Sequence, residues 1–339
     1  MNWKRAKEFF NLNKSIDALI LKTGDVTCSL PNFFYFLEVE IDNAVLLMKR
    51  DEEPKLFVSE MNFEYAKETG IEVEKLKSNE FLGKIKNEIK KCKRVGIDKE
   101  YLSAADFELM KKKIRKTSDV SKNLKEQRAV KEEGEIDFIR KATKLVREIA
   151  NEIEIKEEKS ELEIASELKR EILRRNSDVS FKPIVLSGKN SRFPHGKPTL
   201  REVVKGDVVL VDFGAKVGNY CSDITRCFFI GEGRGEQIEA YEEMQGIFKT
   251  VLSLVRVGMH AREVSKLAEK EFRKENYKPI HSIGHGIGLE VHEFPSFKIN
   301  SKHILKRNMV FTIEPGYYKK DFGVRYEEVV VLKNKAAIV

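Results

Sequence analysis

The chain has 339 residues, of which 35% are charged, and a formal charge of +8. This length is too great for one small domain and supplies apolar residues for two cores. No apolar run is long enough to cross a bilayer and Met1–Lys14 has no signal-peptide core, which excludes a helical membrane protein and leads to the expectation of a cytoplasmic one.

Cys28, Cys92, Cys221 and Cys227 lack CxxC spacing and are expected to be free thiols. The Lys-rich stretches Lys84–Arg94 and Lys111–Lys116 are interrupted by Ile85, Ile89 and Ile114 at helical spacing. They read as solvated helix faces, not as a nucleic-acid surface. Lys and Glu dominate the charge and Gln occurs only at 127, 237 and 245, a composition similar to that of thermophile proteins.

Along the chain, Trp3–Phe10 reads as a helix and Ala18–Leu21 as a buried strand. Asn43–Met48 and Lys55–Ser59 read as strands flanking a polar turn at 50–54. Asn62–Thr69, Phe81–Cys92 and Ser103–Lys116 read as helices, with a short strand at Val95–Asp98. This is a compact α/β unit without a catalytic cluster. Ser118–Arg128 is polar and expected to be extended, so the domains are expected to be 1–122 and 123–339.

A charged helix follows over Lys131–Glu152, with Ile136, Ile139, Ala142, Val146 and Ile149 on its buried stripe. Ser160 and Glu163 form a capping box for the next helix. From Phe181 the pattern turns to strands and tight turns. Pro183–Ser187 is a strand, and a loop leads to Phe193-Pro194-His195-Gly196. Val208–Phe213 and Tyr220–Ile230 form a hairpin around Lys216–Asn219. Ile238–Val255 and Ala261–Asn276 are helices, and strands dominate from Pro279.

Five residues of this second half carry the chemistry. Asp212 ends the apolar run Val208–Val211, where a carboxylate must be paired, hydrogen-bonded or metal-bound. A hairpin loop centred between Val217 and Gly218 pairs Asp212 with Asp223, with Cβ atoms roughly 4.5–5.5 Å apart on one face. His285 lies between Gly284 and Gly286, which permit close backbone approach. Glu314 follows the apolar run Met309–Ile313, and Glu327 enters Val329–Leu332. Any one could be a satisfied core acid. Together they would repel one another unless cations lie between them. Carboxylate and imidazole donors suit two divalent ions, Mn²⁺ or Co²⁺ first, with Fe²⁺ or Zn²⁺ admissible. Two such ions balance four carboxylates and acidify a water held between them, which is hydrolytic chemistry. His195, His281 and His292 flank these segments and suit polarising a carbonyl or moving a proton. His260 and His303 read as surface residues.

The segments VDFGA, SDITR, HSIGHGIGLEVHE, MVFTIEPG and GVRYEE, in that order, resemble the pita-bread metallopeptidases of family M24, the methionine aminopeptidase and prolidase clan. The likeness is greatest to Xaa-Pro dipeptidases (prolidases) and Xaa-Pro aminopeptidases. It covers nearly the whole chain and is strongest from Arg128 onward. The resemblance implies an α/β (α+β) protein, with a creatinase-like N-terminal domain before a pita-bread domain. It implies a dinuclear centre in which Asp212 binds one ion, Asp223 and Glu327 bridge both, and His285 and Glu314 complete the second. It places His195 and His292 in catalysis, His281 against substrate, and Arg325 beside a carboxylate that it orients. It also implies a homodimer acting on short proline-containing peptides.

Cleavage before proline in Xaa-Pro dipeptides is the expected activity, because the chain is short and its N-terminal domain minimal. Release of the N-terminal residue from longer Xaa-Pro peptides is the alternative. Methionine aminopeptidase leaves the N-terminal domain unexplained. A non-catalytic relative or a creatinase does not need the complete ligand set. Cys227, Tyr326 and Glu328 depart from the family pattern, and Asn32–Leu37 follows its N-terminal motif only loosely.

Overall fold

The computed structural model describes residues 1–24, 30–77, 80–114, 116–233 and 235–339. The expectation for Cys28 lies outside the described residues. Two compact units are present, Met1–Arg128 and Ala129–Val339.

The first unit opens with α1 (Trp3–Leu12), β1 (Ala18–Lys22) and α2 (Pro31–Leu37). Pro31 starts α2, where its missing N–H costs nothing. Next come β2 (Ala44–Lys49), β3 (Glu52–Val58), α3 (Phe63–Lys67), β4 (Glu72–Lys75) and α4 (Phe81–Glu88). The unit closes with β5 (Val95–Ile97), α5 (Ala104–Lys113), β6 (Thr117–Asp119) and α6 (Ser121–Ala129). The strands form one mixed sheet in the order β4-β3-β2-β1-β5-β6. Ser103 caps α5 by accepting the Asp106 N–H.

α6 corrects the expectation of an extended segment, and the 122/123 boundary lies inside it. Its buried positions are largely polar, so the helical period is invisible to hydropathy. Gln127 donates to the Arg5 carbonyl at 2.8 Å, and Arg128 donates to Asn32 Oδ1 at 2.8 Å. Only Leu124 supplies an apolar contact in mid-helix.

The second unit begins with α7 (Glu133–Glu152), α8 (Glu161–Arg174), β7 (Asp178–Val179) and β8 (Ile184–Ser187). Capping boxes start both helices, and that of α8 is the expected Ser160–Glu163 pair. Then come β9 (Val208–Phe213), β10 (Ala215–Val217), β11 (Tyr220–Cys221) and β12 (Ile224–Phe229). After α9 (Gly235–Leu254) and α10 (Ala261–Lys274) the chain is mostly strand. These strands are β13 (His285–Gly286), β14 (Glu293–Ser296), β15 (Val310–Ile313), β16 (Gly316–Tyr318), β17 (Gly323–Arg325), β18 (Glu328–Leu332) and β19 (Ala336–Ile338).

β9 is buried on both faces. Side chains alternate along a strand, so Val209, Val211 and Phe213 pack with Val146, Ile149, Ile164 and Leu168 of α7 and α8. Val208 and Leu210 face the other way, toward Met244, Phe248 and Val251 of α9 and Val264 and Phe272 of α10. Each fully buried aliphatic side chain contributes roughly 1.5–3 kcal/mol. Asp212 continues the Val208–Leu210 row, so it lies at the polar end of an apolar ridge.

The β10–β11 turn corrects the expected register. Val217 pairs with Tyr220, leaving Gly218 and Asn219 in the turn with φ of 56° and 66°. Positive φ at both positions is the type I′ geometry that matches strand twist. The turn centre therefore moves one residue along, and Asp212 lies opposite Thr225 instead of Asp223. A shift of two in pairing preserves the face, so both aspartates still point the same way.

A side chain at Gly218 would meet the Phe138 ring, with Cβ only 2.6 Å from Cδ1. Gly218→Val is expected to lower stability by about 1–3 kcal/mol. Gly134 in α7 has open space and an ordinary φ. Gly134→Ala should raise stability by about 0.4–1 kcal/mol. Denaturant midpoints of the two variants check the opposite signs.

Candidate metal centre

The centre forms where two sheets meet. Thr225 of β12 makes an isolated bridge to Glu327, which enters β18. Asp223 sits just before β12, and Glu314 follows β15, its N–H bonded to the Ile283 carbonyl at 2.8 Å. His285 occupies β13, where both flanking glycines are sterically required. A Cβ on Gly284 would lie 2.0 Å from the Thr312 carbonyl oxygen, and one on Gly286 would lie 2.1 Å from that of Phe294. The His285 N–H donates to Thr312 Oγ1 at 3.1 Å, which fixes the turn.

The donor atoms converge. His285 Nε2 is 3.6 Å from Asp223 Oδ2 and 3.6 Å from Glu314 Oε1. One ligand atom each from Asp223, His285 and Glu327 lie within 4.8 Å of one another. Asp212 and Asp223 lie close enough for the charge of one to raise the carboxyl of the other. Asp212 Oδ1, Asp223 Oδ1 and Glu327 Oε1 are buried and have no hydrogen-bond partner among the described residues. Buried carboxylate oxygens without partners are rare in native proteins. Hard oxygen donors with one imidazole fit divalent cations.

Electrostatics give the same picture. Burial, then repulsion from Glu327, Asp212 and Glu314, holds the Asp223 carboxyl well above its ordinary range. Burial and the charges of Glu314 and Asp212 do the same to Glu327. Burial pushes Glu314 up to about 8, although Arg325 opposes the shift. Asp212 is raised by burial, again against Arg325. Burial pulls His285 down to about 3, assisted by His292, and His281 down to about 4, assisted by Arg325. These imidazoles are therefore neutral at pH 7, the form that ligates metals and accepts protons. A cation among the carboxylates would reverse their shifts.

Arg325 ends β17 and lies against Asp212 through Nη2. Its Nε donates to Thr225 Oγ1 at 2.9 Å, and Thr225 Oγ1 donates to Glu327 Oε2 at 2.7 Å. Its Nη1 reaches Tyr318 Oη at 2.8 Å and the Pro194 carbonyl at 3.3 Å. Tyr318 Oη also meets His281 Nε2 at 3.0 Å. His281 Nδ1 is 3.7 Å from Glu314 Oε2. The His292 and His285 rings are 4.2 Å apart. His195 is exposed on its loop but close enough to act electrostatically on Asp212, His281 and His292. These contacts link Asp212, Asp223, Glu314, Glu327, His281, His285, His292 and Arg325 into one connected group, with the loop of His195 joined to it through the Pro194 carbonyl.

Sequence reasoning missed Tyr318, Thr225 and the Lys131–Glu293 pair. Tyr318 and Thr225 look ordinary in their strands, and only tertiary contact reveals them. Lys131 Nζ and Glu293 Oε2 are 2.8 Å apart, with side chains 1% and 2% exposed. A Cβ on Gly288 would stand 2.6 Å from Glu293 Oε2, so this buried pair packs directly on the turn leading to His292. His303, expected at the surface, is half-buried, with its ring centroid 4.1 Å from that of Phe294.

The departures from the family pattern are also accommodated. Glu328 lies between Arg147 of α7 and Arg226 of β12. The Tyr326 ring packs edge-on against Tyr241 and Phe248, with the Arg226 guanidinium 4.9 Å from its centroid. Cys227 is a buried thiol pushed up to about 12 by desolvation, so it is unreactive.

Comparison with known proteins decides the family. Residues 137–334 match the model of metallopeptidase family M24, and residues 4–130 match the creatinase/prolidase N-terminal domain. The chain belongs to metallopeptidase family M24. It is 32% identical over 339 residues to the Xaa-Pro dipeptidase of Pyrococcus horikoshii, covering 97% of this chain and 93% of the relative. The crystal structure of the X-Pro aminopeptidase from Thermotoga maritima superposes with a TM-score of 0.87 at 30% identity, covering 98% of this chain and 97% of that one. The prolidase from Pyrococcus furiosus gives a TM-score of 0.86 at 31% identity, covering 98% of each chain. The M24 chain is therefore a peptidase with a creatinase-type N-terminal domain, and its family implies divalent metal ions. No helix among the described residues is long and apolar enough to cross a membrane.

Metal binding to this M24 centre should release protons. Below about pH 8 the Glu314 carboxyl holds a proton that a cation must displace, and Asp223 and Glu327 are raised in the same direction, whereas His285 is already neutral. Affinity should therefore fall as pH is lowered from about 8 toward 6. Calorimetry in buffers of different ionisation enthalpy checks this; a buffer-independent heat would contradict it.

Proposed function

We propose that the protein is a dinuclear metallopeptidase that hydrolyses the bond before proline in Xaa-Pro dipeptides. The observation that carries this reading is the set of buried, unpartnered carboxylate oxygens on Asp212, Asp223 and Glu327, gathered beside His285. Asp212 would hold one ion, Asp223 and Glu327 both, and His285 with Glu314 the second. Mn²⁺ and Co²⁺ suit this donor set best, with Fe²⁺ and Zn²⁺ admissible. Such ions supply Lewis-acid chemistry, acidifying a water and polarising the scissile carbonyl.

The chain's own residues do the rest. Arg325, bonded to Thr225, fixes the Asp212 carboxylate and so sets its direction. His292 is held neutral chiefly by burial, and this suits its Nε2 or Nδ1 to accept and return a proton. His195, on the exposed loop, would donate a hydrogen bond to the substrate. His281, with Tyr318, forms a polar wall beside Glu314 where the substrate can be oriented. Relatives named both as Xaa-Pro dipeptidases and as Xaa-Pro aminopeptidases support the proline preference and leave two reactions to separate. We favour the dipeptidase because the N-terminal unit is small. A cytoplasmic homodimer completes the proposal, by analogy with the family.

Hydrolysis of an Xaa-Pro dipeptide and an Xaa-Pro-Xaa tripeptide, each with Mn²⁺ or Co²⁺ and again after chelation, tests the reading. Cleavage of the dipeptide alone, lost with chelator, is expected. Cleavage of the tripeptide at the same bond would make the protein an aminopeptidase. Cleavage of neither, with metal bound, would refute the substrate class.

Asp223→Ala and Glu327→Ala are expected to abolish turnover while retaining the native circular-dichroism spectrum. Full turnover in either would remove the dinuclear centre from the proposal. His292→Ala should lower kcat by about 100-fold or more with metal content retained. Parallel loss of metal would make it a ligand.

A further inference from the structure

Glu161 opens α8 and is fully buried, yet its carboxylate contacts neither the metal centre nor its arginine. Oε1 accepts the Ser187 N–H at 2.7 Å, the Ser187 hydroxyl at 2.9 Å and Asn190 Nδ2 at 3.0 Å. Oε2 accepts the Thr199 N–H at 2.9 Å, the Thr199 hydroxyl at 2.7 Å and Asn190 Nδ2 again at 3.2 Å. Ser187 ends β8, and Thr199 lies on the far side of the loop that carries His195. One carboxylate therefore ties together both ends of that loop. Between the ends, the Pro194 carbonyl accepts from Arg325, and Ser191 Oγ accepts the Gly323 N–H at 2.8 Å. The loop is thus pinned at its base by Glu161 and along its length by the strand that bears Arg325.

A buried carboxylate is a costly way to join a strand to a helix. A fully satisfied one is a rigid, geometrically specific joint, because each donor must keep its direction. His195 is exposed and can hold a fixed position only if its backbone is held. We propose that Glu161 is a positioning residue for His195, closing the 187–199 loop so that the backbone carrying the imidazole keeps its place beside Arg325. The proposal rests on the peptidase reading only for the role it gives His195.

Glu161→Gln keeps the shape but has one carbonyl oxygen, so one of the two backbone N–H groups loses its acceptor. Hydrogen–deuterium exchange of the metal-loaded protein should rise in 188–199 and stay unchanged in β9 and β15. The metal-to-protein ratio should not change. kcat for the Xaa-Pro dipeptide should fall on the order of 10- to 100-fold, the range for a slightly misplaced group. In a His195→Ala background the same substitution should cost nothing further, since both act through one imidazole. Thr199→Val, which removes one hydroxyl donor from a surface loop, should shift exchange and kcat in the same direction by less, and it carries the test if Glu161→Gln does not fold. Additive losses with His195→Ala, or unchanged loop exchange in both variants, would overturn the proposal. The exchange readout needs no turnover. A wild-type protein that cleaves neither peptide would refute the substrate class, while loop exchange would still decide the role of Glu161.

Discussion

The desolvation and mutual repulsion of Asp212, Asp223, Glu314 and Glu327 is the constraint around which the second unit is built. Each ionised carboxylate taken from water costs several kcal/mol even after relaxation. Arg325 supplies one opposing positive charge, and it is spent on Asp212. The protein by itself relieves the remainder by protonation, which is why burial and repulsion raise these groups together. Divalent cations would relieve it without protons, which is why the ions that the family implies suit this donor set. The buried imidazoles complete the logic, because neutral His285 adds a donor without adding charge.

Holding repelling groups together demands a stiff frame. β9 provides it by burying both faces, with α7 and α8 on one side and α9 and α10 on the other. The Thr225–Glu327 bridge locks that strand's neighbour to the second sheet at the site itself. Further from the centre, buried ion pairs do similar work at the turns. Lys131–Glu293 braces the segment that leads to His292, and Glu328 joins α7 to β12 through two arginines. Sites placed on strands and braced in this way keep their geometry better than sites on free loops. His195 differs in lying on an exposed loop, so it depends on what holds that loop.

The N-terminal unit shows a different economy of charge. Lys49, Lys55 and Lys84 all approach Glu88, and Lys55 and Lys84 also reach Glu72 and Glu74. Networks of this kind share the entropy of ordering among several partners and gain weight at high temperature. The lysine-rich stretch around α4 is therefore partly neutralised locally. Inside the unit, Arg128, Asn32 and Asp98 form a buried polar chain joining α6, α2 and the end of β5. Polar side chains at buried positions are the reason α6 escaped a reading based on hydropathy.

Much of the candidate site was legible because buried acids and chain reversal leave local marks. Asp212 after four apolar residues, the Gly-His-Gly turn and a glutamate before Pro315-Gly316 are visible without any tertiary information. Helix starts were legible for the same reason, since the Ser160–Glu163 box closes within one turn. Strand pairing was less so. The parity that puts Asp212 and Asp223 on one face could be read from spacing, but the turn centre depended on two residues taking positive φ. What the sequence by itself determined was which acids and imidazoles stand at buried strand ends and turns, and that Asp212 and Asp223 share a face, because periodicity and glycine chemistry are local. Only the tertiary structure decided that Tyr318, Thr225, Lys131 and Glu161 matter, because their effect is made of hydrogen bonds to residues far along the chain, and no local pattern encodes a partner at that distance.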